Sequence, residues 1–138
     1  MFRAVARHLA LVAGLTGSLA AGVPTLLLWS RRDRLIYVGD LFEYYLIEVM
    51  LIAAFVFVVH VARARIAALA AWIACGAVTV FAIAAGFSIG NLFIPAAALF
   101  CLGGLLADLD RPRRLRNHIL ATFAAGGLQA AAMFALAR

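Results

Sequence analysis

The longest uncharged run in the chain extends from Ile66 to Ala107, 42 residues broken only by the polar dip Phe87-Ser88-Ile89-Gly90-Asn91. Crossing a bilayer core takes roughly 20 predominantly apolar residues. The run therefore fits two membrane helices joined by a tight turn centred on Ser88, with Gly86 and Gly90 bracketing it. Three further apolar blocks flank it, separated by short arginine-bearing segments. Five spans result, at about residues 8–29, 41–62, 66–85, 91–107 and 119–137. The expected fold class is all-α: a polytopic integral membrane protein, a bundle of five transmembrane helices forming one membrane domain over residues 1–138.

Local chemistry marks several boundaries. Asp40 followed three residues later by Glu43 reads as an N-cap with its capping-box partner, opening the second helix. Pro95 falls in the first turn of the fourth helix, where a missing N–H costs nothing. Pro24 lies late in the first helix and is expected to kink it. The opening also has the parts of a secretory signal: Arg3 and Arg7, the apolar core Leu9 to Leu19, and the small residues Ala20 and Ala21. The apolar run continues through Val23 to Trp29, so it reads instead as a first membrane helix.

Composition agrees with the pattern. Hydrophobic residues are 67% of the chain and charged ones 13%, against about 25% charged in soluble domains. Mean hydropathy is +1.08. A soluble core of this size cannot hide so much apolar surface, so lipid must be part of the solvent. Net charge is +6, and all 12 basic residues are arginine. Arginine without lysine, with heavy alanine use, suggests a GC-rich bacterial genome and hence the inner (plasma) membrane. The arginines adjoin apolar spans, so their expected partners are anionic headgroups rather than nucleic acid. Placing the N-terminus inside puts eight arginines on the inner side and four on the outer side, which favours N-in, C-out. The outer group includes the cluster Arg31, Arg32 and Arg34, and Trp29, Tyr37, Tyr44 and Tyr45 form an aromatic belt nearby.

Five features could carry function. Small residues recur every four positions as Ala10, Gly14, Ser18 and Gly22 in the first helix, and as Gly127, Ala131 and Ala135 in the fifth. Such stripes let membrane helices approach closely, either within the bundle or between subunits. Glu48 lies about two turns into the second helix, on a face with Tyr44 and Tyr45. A carboxylate at membrane depth is costly and is a candidate ion or proton carrier, unless it lies hydrated near the outer interface. His8, His60 and His118 come from three helices but share the inner ends, a weak candidate metal set. The segment Asp108 to His118 holds Arg111, Arg113, Arg114 and Arg116, read as a topology anchor and lipid-headgroup contact. Its Asp108 and Asp110 could hold a cation on a diphosphate substrate, but they lack the further carboxylates such enzymes need. Finally, Cys75 and Cys101 are equidistant from the turn and so level across the hairpin, read as small apolar residues.

No nucleophile elbow, Gly-rich phosphate loop or His-Glu metal helix is present. No cofactor is called for. The comparison with small multidrug exporters fails, because their carboxylate lies in the first of four helices, whereas Glu48 lies in the second of five. The primary reading is a non-enzymatic membrane protein acting through helix association, as an accessory subunit of a membrane complex or as a homo-oligomer. The alternative is a small proton- or cation-linked transporter or channel using Glu48, with its pore or site between protomers. An enzyme at the inner headgroup layer, using Asp108, Asp110 and His118, stands third.

Overall fold

A computed structural model of the chain describes residues 2–31, 40–85, 89–109 and 111–136, with backbone alone for residues 2–3, 40–42 and 136. The elements are α1 (Phe2–Ser30), α2 (Asp40–Val61), α3 (Ala67–Ala84), a 3-10 turn (Gly90–Phe93), α4 (Ile94–Asp108) and α5 (Pro112–Leu136). No strand occurs among the described residues. Five helices are long and apolar enough to cross a membrane, as the hydropathy pattern requires, and they fit a multi-pass membrane protein.

The four helices α1 to α4 form a closed ring. α1 packs on α2 and α4, and α3 completes the ring by packing on the same two. α5 lies outside it, along α3, and touches α4 only slightly. The neighbours fix the helix directions. Gly14 meets His60 and Gly22 meets Ala53, so α1 and α2 are antiparallel; Gly76 meets Thr122 and Val80 meets Gly126, so α3 and α5 are parallel. One end of the molecule therefore gathers the start of α1, the α2–α3 turn and the α4–α5 connection.

The ring's interior is built from alanine, valine and a few phenylalanines. Ala53, Val56, Ala74, Val78 and Ala96 pack around Phe93 and Phe100. Phe81 meets Phe93 edge-on, with ring centroids 5.0 Å apart at 84°, the arrangement the ring quadrupoles favour. Small side chains bring backbones close and so strengthen dispersion between the helices. Cys75 belongs to this core and Cys101 packs against it; both are free thiols.

Two boundaries differ most from the hydropathy pattern. α1 begins at Phe2 rather than near His8, and at 29 residues it reaches roughly 43 Å at 1.5 Å per residue, longer than a bilayer core is thick. α5 begins at Pro112 rather than Ile119, so Arg113, Arg114 and Arg116 lie on its first turns rather than in a loop. Proline's fixed φ suits a first helical position, and arginine is a good helix former that needs no lipid. α4 is preceded by the 3-10 turn and takes Pro95 in its first turn, as expected. α1 runs continuously through Pro24.

The α2–α3 turn closes without a glycine. Arg63 N–H donates to His60 O at 3.0 Å and Ala64 N–H to Val59 O at 2.9 Å, the paired bonds of a Schellman cap. Arg63 holds the left-handed position, φ 49°, which ordinarily favours glycine. At the far end, Gly90 N–H donates to Ala85 O at 2.8 Å. The turn expected around Gly86 and Ser88 lies outside the described residues, as do Arg32, Arg34, Tyr37, Asp110 and the Asp40 side chain.

Candidate functional site

The most elaborate polar cluster lies at the arginine-rich end, where α3, α4 and α5 meet. Asp108, the last residue of α4, is 1% exposed. Its Oδ2 accepts from His118 Nδ1 of α5 at 2.5 Å and from Trp72 Nε1 of α3 at 3.1 Å. Thr122, one turn beyond His118, brings its hydroxyl within 2.9 Å of Trp72 O and 3.1 Å of His118 O. The indole edge passes over Gly104 of α4, where an added Cβ would sit 2.7 Å from Trp72 Nε1. Three helices are thus tied through one buried carboxylate. A carboxylate so deeply buried is tolerated only with donors in place, and no buried side-chain polar atom among the described residues lacks a partner.

Chemically, this cluster holds an imidazole in a fixed orientation, with Nδ1 engaged and the ring partly open to solvent. It supplies an oriented acid–base group one turn from the Thr122 hydroxyl. Asp110, the other acid of the segment, lies outside the described residues. Trp72, Thr122 and Gln129 were not singled out from sequence. His118, Thr122 and Gln129, four and then seven residues apart, form a polar stripe on one face of a helix that is otherwise apolar beyond Asn117, a legible signal of an inward face.

The second polar contact is Gln129 Nε2 of α5 donating to Glu48 Oε2 of α2 at 2.8 Å. Glu48 is half-buried, so it is neither loop-exposed nor without a partner. The candidate trio around it divides. Tyr45 is half-buried beside the ring of Phe81, with centroids 6.1 Å apart, whereas Tyr44 is 66% exposed and faces outward. An open apolar groove of about 550 Å³ lies alongside, between Tyr45, Val80, Ile83, Ala130 and Phe134.

The histidines do not converge. His8 is exposed and bonds to Ala4 O in its own helix at 2.7 Å. His60 is 4% exposed, with Nδ1 bonded to Val56 O at 2.8 Å and Nε2 against Gly14, where a Cβ would collide with the ring. His118 belongs to the Asp108 cluster. No group of three His, Cys, Asp or Glu residues capable of holding a metal occurs among the described residues.

The two small-residue stripes have opposite fates. Ala10, Gly14 and Ser18 are buried and Gly22 half-buried, against α2 and α4; the Ser18 hydroxyl donates to Gly14 O at 2.9 Å. The α5 stripe points away from the bundle. Gly127 has nothing within 4 Å of a Cβ position, and Ala131 and Ala135 are exposed. Arg111, Arg113, Arg114 and Arg116 are all exposed at the start of α5.

Comparison with protein-family models, with curated proteins and with solved structures finds no match.

Proposed function

We propose that this chain is a non-enzymatic protein of a bacterial inner membrane that works by lateral helix association, as an accessory subunit or a homo-oligomer, with α5 as its docking helix. The observation that carries the reading is the outward stripe Gly127, Ala131 and Ala135. It is smooth and uncovered on a helix only 11% buried across its apolar window, against 56% for α3. A smooth face of that kind admits a second helix at close range. The first-helix stripe, consumed inside the bundle, has no such role. The arginine-rich end lies on the cytoplasmic side in this reading, because positive residues are retained there. The test is the mass of the particle extracted in gentle detergent: association predicts an assembly well above the 14.7 kDa chain, and a solitary monomer contradicts it.

One observation favours a second reading, cation- or proton-linked transport between protomers. Glu48 and Gln129 form a polar pair beside an open groove, and membrane-depth carboxylates commonly mark ion pathways. In that case Glu48→Gln abolishes flux in proteoliposomes while leaving the particle's mass unchanged. Flux that survives the substitution, or is absent from the native chain, removes this reading.

A further inference from the structure

The face of α5 opposite its polar clasps has a graded chemistry. Its inward side carries His118, Thr122 and Gln129. On the other side Arg113, Arg116, Leu120 and Phe123 follow one another at helical spacing, and all are exposed. The change from cation to hydrocarbon takes a single turn: Leu120 is 61% and Phe123 74% exposed. A groove of about 630 Å³ opens between Pro112, Arg113 and Arg116.

Neither arginine has an ion-pair partner among the described residues. The nearest described acid, Asp108, is buried and committed to His118 and Trp72. Two exposed guanidiniums one turn apart present forked donors suited to phosphate oxygens. Directly below them lies apolar surface that water does not favour. The matching ligand carries an anion and hydrocarbon in that order. A free phosphate matches only the first part, and an acidic soluble peptide leaves Leu120 and Phe123 uncovered.

We propose that Arg113 and Arg116 form the headgroup site for one anionic glycerophospholipid whose acyl chains run along Leu120 and Phe123. The site occupies the arginine-rich end of α5, while the stripe from Gly127 to Ala135 begins 11 residues beyond Arg116, roughly 16 Å further along the helix. Lipid and helix partner can therefore be bound together, and this proposal does not depend on association.

The experiment is native mass spectrometry of the full chain released from nanodiscs of mixed phosphatidylglycerol and phosphatidylcholine, reading the lipid retained per chain. The native protein retains phosphatidylglycerol in excess of its bulk share. The Arg113→Gln/Arg116→Gln double variant lowers that preference roughly 30-fold, about fivefold per arginine, the upper end for an exposed direct ion pair. Arg116→Gln alone gives the single step and serves where the double variant does not purify. The control Arg63→Gln/Arg65→Gln, on the α2–α3 turn at the same end, stays within about twofold, since each arginine there only adds to a diffuse potential. Equal losses from both pairs would show a diffuse charged collar and overturn the site. Displacement of the lipid by excess inorganic phosphate would show a small-anion site and overturn it equally, as would unchanged retention in the double variant.

Discussion

Asp108 illustrates how much a single residue can organise at a membrane boundary. In sequence it is one of two acids in an arginine-rich segment, short of the further carboxylates a cation site needs. In the fold it turns inward, and its neighbours are an indole 36 residues away and an imidazole ten residues away. Breaking a buried pair by removing one member leaves an uncompensated charge, which costs about 3–5 kcal/mol. His118→Ala should therefore lower stability by about 3 kcal/mol, measured by denaturant titration of helicity in micelles. Asp108→Ala/His118→Ala should cost less than the two single losses combined, by about 1 kcal/mol or more, because the second removal no longer strands a partner. Strictly additive losses contradict the coupling. Hydropathy places Asp108 and His118 in one polar segment but cannot find Trp72, because a contact 36 residues apart depends on how α3 packs on α4. The same holds for Arg63: a left-handed arginine closing a Schellman turn leaves no glycine for the eye to find.

At the scale of helices, existence was legible and boundaries were not. Apolar length alone separates five spans, because a bilayer imposes a length on each. Hydropathy marks only the apolar part of a helix, however, so the polar first turns of α5 from Pro112 look like loop in sequence. The two small-residue stripes show a deeper limit. Their sequences are alike, yet the α1 stripe is spent within the bundle and the α5 stripe is open. Only the packing order, with α5 outside the ring, decides between them. Gly14→Ala should be destabilising by about 1–3 kcal/mol, because its methyl collides with the His60 ring in a full interior. Gly127→Ala, facing open space, should be neutral or stabilising by up to about 1 kcal/mol through helix propensity alone. Thermal melts of the two variants as single chains in a dissociating detergent check this, and equal losses would mean that Gly127 is packed within the chain rather than open.

Across the whole molecule, polar contacts are concentrated on the element that packs least. α5 leans mainly on α3, yet His118, Thr122 and Gln129 fasten it to α4, α3 and α2 in turn. Glu48 and Asp108 each accept a hydrogen bond from this one helix. Its inner face is thereby fixed, and its outer face is held in a defined orientation, arginines at one end and small residues at the other. A helix held that way suits docking better than one free to roll. Intact-mass measurement of particles extracted in gentle detergent, comparing the native chain with Gly127→Leu, tests this most directly. Leucine is a better helix former than glycine and meets open space within the chain, so the fold should persist while close approach of a partner helix is blocked. Association through α5 predicts an assembly for the native chain that falls to single chains of 14.7 kDa in the variant. A native chain that is already solitary, or a variant whose assembly is unchanged, would contradict it.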